Sequence, residues 1–186
     1  MITDKDRSGY IGASDTGYVM RSWKTKTFEQ WWRIKQGFEV SNLSTNAMKA
    51  GTAYEHKILD SLGLPDLEKD KQIIIGRIRV NLDGNTPAKI YEVKTHSADK
   101  VFKVSADYRR QVQVQMWASG IHRAEIVAYG LLPEDYDNYY RDIDIGRRSS
   151  HTIEYDEAFI QEYKKRVKVL CDCLENGRFP DERMIG

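Results

Sequence analysis

The sequence predicts an α/β protein, a central mixed β-sheet with α-helices on both faces, and three observations support that architecture. Stretches with apolar residues at three- and four-residue steps alternate with short β-branched runs, in the order helix, strands, helix, strand, strands, helix. At 186 residues the chain can bury one continuous core without staples, which suggests a single domain over residues 1–186. No repeat, low-complexity tract or linker interrupts it.

Taken in order, Ile11-Gly12-Ala13-Ser14-Asp15 opens a short helix with Ser14 or Asp15 as its N-cap. A helix start presents unpaired N–H groups to an anion, so Arg7 and Ser14 could hold a phosphate there. A capping serine beside a solvent-exposed arginine accounts for the same residues. Residues 27–36 form a helix ended by Gly37, and Phe28, Trp31 and Trp32, at i, i+3 and i+4, have the spacing of core residues rather than of a base-stacking platform. Thr45 or Asn46 caps a longer helix that Gly63 and Pro65 stop. Tyr54, Ile58 and Leu62 line its buried stripe, with Glu55 at the edge of that stripe, where a solvated boundary residue is the ordinary occupant.

Residues 73–80 read as a strand or hairpin leading into Asp83. Residues 107–119 form a helix closed by Gly120, on which Tyr108, Gln111 and Gln115 share one face, and helix glutamines ordinarily face water. Residues 124–132 give an apolar strand, and residues 139–145 and 150–155 an outer hairpin across Gly146-Arg147-Arg148. The last helix, 156–176, buries Phe159, Tyr163, Val167, Leu170 and Leu174 and stops at Gly177.

Composition narrows the function classes. A formal charge of +1 gives no global attraction to nucleic acid, so any such surface must come from local clustering of the 29 basic residues. Cys171 and Cys173 fall on different faces of a helix, which argues against a disulfide framework or a zinc site. The four histidines are scattered and read as structural or exposed. No apolar run approaches membrane-spanning length and the N-terminus has no signal-peptide core, so the expectation is a soluble cytoplasmic protein without membrane association.

The chemistry concentrates in Val80-Asn81-Leu82-Asp83-Gly84 and Ile90-Tyr91-Glu92-Val93-Lys94-Thr95, two strands joined through Gly84-Asn85-Thr86-Pro87. Alternation puts Glu92 and Lys94 on one face and Tyr91 and Val93 on the other, with Asp83 able to reach the same corner. Two carboxylates that can share a divalent ion, beside an ammonium, suit phosphodiester cleavage. A hairpin edge with its charges in water fits the same pattern.

Four stretches in fixed order decide between these readings. Arg7 through Ile11-Gly12-Ala13-Ser14, Gly51-Thr52-Ala53-Tyr54-Glu55, Leu82-Asp83-Gly84 with Tyr91-Glu92-Val93-Lys94, and Tyr108-Arg109-Arg110-Gln111-Val112-Gln113-Val114-Gln115-Met116-Trp117 together resemble the lambda exonuclease or YqaJ-type viral recombinase family, within the PD-(D/E)xK superfamily. The resemblance implies a restriction-endonuclease-like core and a Mg²⁺-dependent exonuclease that degrades linear double-stranded DNA 5′→3′ in phage-type recombination by single-strand annealing. It implies that Asp83, Glu92 and the Val93 carbonyl ligate Mg²⁺, that Glu55 helps hold a second ion, and that Mn²⁺ substitutes. Lys94 would position or activate the attacking water, Gln111 would lie beside it, and Tyr108 and Gln115 would support the site. Arg7 and Ser14 fall on positions that bind the 5′-terminal phosphate.

The implied partners are double-stranded DNA ends, a single-strand annealing protein and further copies of the chain in a ring-shaped homotrimer, within a bacterial host if the gene belongs to a phage or prophage. Asn81 departs from the family pattern by replacing a small hydroxyl residue, so the phosphate pocket is differently built. A structure-selective or restriction-type endonuclease on the same fold, and a non-catalytic DNA-binding accessory module, remain the competing readings.

Overall fold

The computed structural model describes residues 8–40 and 45–186. Among these residues six strands make one mixed sheet: β1 (Ile11–Gly12), β2 (Glu68–Ile75), β3 (Ile78–Asn85), β4 (Ile90–Ser97), β5 (Arg123–Leu131) and β6 (Arg148–Glu154). Five α-helices accompany it: α1 (Thr16–Met20), α2 (Lys26–Lys35), α3 (Asn46–Asp60), α4 (Ala106–Ser119) and α5 (Glu157–Glu175). The predicted α/β class and flanked mixed sheet are therefore observed.

β2 and β3 form the hairpin allowed for by the isoleucine-rich run, turning at Gly76 with φ 56°, a left-handed value that glycine adopts without a Cβ clash. β4 and β5 run parallel, with Ile90 paired to Ala124 and Ser97 to Leu131, and α4 makes the crossover that parallel strands require. β6 closes the far edge antiparallel to β5. The centre of the sheet is less regular. β2 occupies one edge of β3, so β1 and β4 must share the other: β1 pairs with it at Ile78 and Arg79, and β4 at Gly84 and Asn85. The stretch of that edge around Asn81 and Asp83 lies between the two.

Side-chain alternation then distributes the apolar residues to two faces. Ile90, Ala124 and Ile126 belong to the larger core with Val112, Val114 and Met116 of α4, Tyr163 and Leu170 of α5, and the α2 aromatics. Tyr91, Val93, Val127 and Tyr129 face Ala50, Tyr54, Ile58 and Leu59 of α3 in a smaller one. Phe28, Trp31 and Trp32 are buried, as their spacing predicts. Helix starts carry side-chain caps, at Thr45 as expected and at Thr25 and Ser105, which precede the starts expected at residues 27 and 107. Phe28 N–H donates to Thr25 Oγ1 at 3.1 Å, Met48 N–H to Thr45 Oγ1 at 3.2 Å, and Tyr108 N–H to Ser105 Oγ at 3.1 Å. Among the described residues no helix is long and apolar enough to cross a membrane.

Three expectations need correction. Residues 139–145 do not form the near strand of an outer hairpin; β6 pairs with β5 instead. Side chains hold that segment in an irregular course: Tyr54 Oη donates to the Asn138 carbonyl at 2.7 Å and Lys57 Nζ to the Tyr139 carbonyl at 2.7 Å, while buried Asp135 is paired to Arg147 at 2.5 Å and Arg141 at 3.3 Å. Second, Asp15 is the N-cap residue of α1, one of the two expected, but its side chain makes no capping hydrogen bond. A 3₁₀ turn, Ala13–Asp15, precedes α1, and the Asp15 carboxylate instead accepts from the Gly12 N–H at 2.7 Å. Third, the glutamines of α4 do not face water: Gln113 and Gln115 are buried, each with named partners.

Candidate active site

Glu92 is the hub. It leaves β4 on the α4 side, is 3 % exposed, and each of its oxygens is engaged. Lys94 Nζ donates to Oε1 at 2.6 Å and Gln111 Nε2 to the same atom at 2.6 Å, while Gln115 Nε2 donates to Oε2 at 2.6 Å. Gln115 also donates to the Asn81 carbonyl at 3.0 Å, so one buried amide links β3, β4 and α4. Gln111 Oε1 accepts from Lys94 at 3.1 Å, which closes a triangle of Glu92, Lys94 and Gln111, and the Lys94 ammonium lies 4.9 Å from the centre of the Tyr108 ring. A buried carboxylate met by three donors, one of them cationic, is a fully supported anion.

Asp83 reaches this corner from β3, where pairing with β4 has just ended at Gly84. Its Oδ2 accepts from the Val93 N–H at 2.8 Å, so a side chain supplies the acceptor that the ladder does not continue to provide. Burial, then the Glu92 and Glu55 carboxylates, push the Asp83 carboxyl well above its ordinary range. Glu55, half-buried on α3, is pushed up by burial and by Glu92. Burial works against the Lys94 charge, but Glu92 and Asp83 outweigh it and hold the ammonium above its usual pKa. Glu55, Asp83, Glu92 and Lys94 thus sense one another electrostatically although they come from α3, β3 and β4.

Beside this cluster lies a cleft of about 240 Å³ lined by Ser14, Lys35, Arg79, Asn81, Asp83 and Gln111 among others. Ser14 is exposed there, Arg79 stacks on Tyr10 with 5.1 Å between guanidinium carbon and ring centre, and Lys35 pairs with Asp15 at 2.6 Å in a nearly buried ion pair. Asp15 also accepts from Trp31 Nε1 at 3.0 Å. The structure therefore brings together Glu55, Asp83, Glu92, Val93, Lys94, Tyr108, Gln111 and Gln115, with Ser14 across the cleft; Arg7 lies outside the described residues.

Three contributors to this region escaped the sequence reading. Lys35 resembles any helix lysine, and only its burial reveals it. Arg79 follows from strand alternation, two and four residues before Asn81 and Asp83, a signal that was present and unused. His56, read as structural or exposed, lies beside Glu55 and 2.8 Å from Asp70, a contact between α3 and β2 that no local pattern announces.

The carboxylates provide hard oxygen donors in a corner where burial, and then their mutual repulsion, raises the pKa of Asp83 and Glu55, and this donor chemistry fits a small divalent cation. No protein-family model matches the sequence, and no curated protein matches it. Among solved structures, an alkaline exonuclease from Laribacter hongkongensis, determined alone and in complex with dAMP, is similar with a TM-score of 0.70 and 22 % identity over 92 % of this chain and 90 % of that one. A phage-related exonuclease from Haemophilus somnus 129PT is similar with a TM-score of 0.64 and 16 % identity over 90 % of this chain and 94 % of that one. At these identities what is shared is architecture: the chain has the α/β fold of these exonucleases along nearly its whole described length.

Proposed function

We propose that this protein is a divalent-cation-dependent deoxyribonuclease, an exonuclease that hydrolyses linear double-stranded DNA from its ends in the 5′→3′ direction. The observation that carries the reading is the convergence of Glu55, Asp83, Glu92 and Lys94, from three elements, at the interrupted edge of β3. The fold shared with two structures described as exonucleases supports the same activity class.

Asp83, Glu92 and the Val93 carbonyl would hold Mg²⁺, and Glu55 would help hold a second ion, with Mn²⁺ able to substitute. When bound, the cations would offset the phosphodiester charge and make water a better nucleophile at neutral pH. The chain's own groups do the rest. Gln115 fixes Glu92 through Oε2, and Gln111 fixes both Glu92 and Lys94. Lys94 has three N–H donors, of which Glu92 and Gln111 engage two, leaving one to hold the attacking water. Tyr108 covers the ammonium and limits its contact with bulk solvent.

The cleft lined by Ser14, Lys35 and Arg79 offers hydroxyl and cationic groups for a terminal phosphate, with Asn81 as the amide in place of the family's hydroxyl, and the family resemblance alone adds Arg7. A ring-shaped homotrimer, a single-strand annealing partner and a role in phage-type recombination belong to the same proposal and rest on the family resemblance alone.

End-labelled linear duplex incubated with Mg²⁺, with and without EDTA, tests the reading. Mononucleotides released progressively from 5′-phosphorylated ends are expected, with covalently closed plasmid left intact. Nicking of closed plasmid would move the assignment to an endonuclease, equal rates on 5′-phosphate and 5′-hydroxyl ends would remove the terminal-phosphate contact, and EDTA-insensitive or absent cleavage would refute the enzyme assignment.

A further inference from the structure

α3 presents His56 directly after Glu55, and β2 presents Asp70. The β2–β3 ladder passes from Lys69–Gly84 to Lys71–Leu82, which leaves Asp70 across from Asp83. Asp70 adopts a left-handed backbone, φ 58°, outside the regular alternation of the strand, and its carboxylate meets His56 of α3. There one donor atom each from Glu55, His56 and Asp70 lies within 4.8 Å of the others, and all three residues are half-buried. His56 Nε2 and Asp70 Oδ2 are 2.8 Å apart.

We propose that Glu55, His56 and Asp70 form a separate divalent-cation site, adjoining the Asp83–Glu92 carboxylate cluster through Glu55, that takes a first-row transition ion such as Mn²⁺ in preference to Mg²⁺. The proposal draws on the cation-dependent reading of the cleft only through that shared carboxylate. Ligands at roughly 2.0–2.2 Å from an ion leave neighbouring donors about 3 Å apart. The His56–Asp70 pair already has that separation, and rotation of the flexible Glu55 side chain brings in the third donor. An imidazole among the donors sets the selectivity. Mg²⁺ favours oxygen ligands and keeps its waters, whereas first-row transition ions accept nitrogen readily. The three residues come from α3 and β2, so an ion there would also tie the helix that supplies Glu55 to the sheet hairpin that supplies Asp83.

The competing explanation is a hydrogen bond from His56 to Asp70 that tethers α3 to β2 and binds nothing. Mn²⁺ titration followed by electron paramagnetic resonance, with paramagnetic broadening of the His56 imidazole by NMR, separates the two. The Asp83→Asn/Glu92→Gln double variant removes the carboxylates of the cleft itself; it is expected still to bind one Mn²⁺ and to lose the His56 signal as it does so. Adding His56→Gln or Asp70→Asn should weaken that remaining affinity at least about 10-fold. In the native chain, saturating Mg²⁺ should leave the His56 broadening by Mn²⁺ in place. A His56 signal untouched by Mn²⁺ in both proteins, or remaining affinity unchanged by His56→Gln, would overturn the site and leave the tether. Failure of the nuclease reading looks different: Mn²⁺ stoichiometry would then be the same in the native chain and in the double variant.

Discussion

At the scale of single residues, Glu92 and Lys94 make the sharpest expectation. Lys94→Ala and Glu92→Ala should each lower the cleavage rate at least about 100-fold, with circular dichroism unchanged, because each removes a group that the proposed reading puts at the reacting phosphate and neither belongs to the hydrophobic clusters. Cleavage at the native rate by either variant would rule out the assignment. Asp83 gives a second expectation that needs no substrate. Its carboxyl titrates well above 3.8 in the folded cation-free protein, through burial and the Glu92 and Glu55 charges. The folded state therefore binds that proton more tightly than the unfolded chain, and stability falls as pH rises from 3.8 through the raised value. Melting temperatures of cation-free protein across that window should show the decline, and Asp83→Asn should flatten it. The strand pattern of residues 90–95 already placed Glu92 and Lys94 on one face, because alternation is local; helical spacing alone does not tell Gln111 and Gln115 from solvated glutamines, and only the family resemblance put them at the site, without the bonds they make to Glu92.

At the scale of elements, helix ends were readable and irregular segments were not. Thr25, Thr45, Ser105 and Asp156 cap their helices, and Gly120 ends α4 with φ 73°, all from signals within a few residues. Gly120→Ala meets no neighbouring atom but must adopt that left-handed conformation, so a loss of about 1 kcal/mol in urea denaturation is expected, with cleavage unchanged at permissive temperature. The failed hairpin over residues 139–145 shows the converse. Its apparent strand pattern yields to Tyr54 and Lys57, whose contacts to it span more than 80 residues, and to the nearer pairing of Arg141 and Arg147 with Asp135. β1 was missed because a two-residue strand has no periodicity to read.

At the scale of the molecule, the α/β class followed from the alternation of helical and strand-like stretches, whereas the sheet order did not, because pairing partners are chosen by tertiary contacts. Glu55, Asp83 and Glu92 lie close together and raise the pKa of Asp83, so cation binding to the folded state alone should stabilise it. At 100 times its dissociation constant a cation contributes about 2.7 kcal/mol. For a chain of this size that corresponds to roughly 5–10 °C in melting temperature. Calorimetry with Mg²⁺ against EDTA should show the rise, and the Asp83→Asn/Glu92→Gln protein should show little of it.

The division of one β3 edge between β1 and β4 has a last consequence. A seam left open at the middle of a sheet is tolerable only because Gln115 and Val93 meet its exposed polar groups at Asn81 and Asp83. Were β1 to continue beyond Gly12 in register with β3, its backbone would zip along Val80 to Asp83 and wall off the carboxylate corner from any polymer approaching from solvent. The brevity of β1 is thus a condition for access, and insertions that lengthen it should be tolerated by folding far better than by turnover.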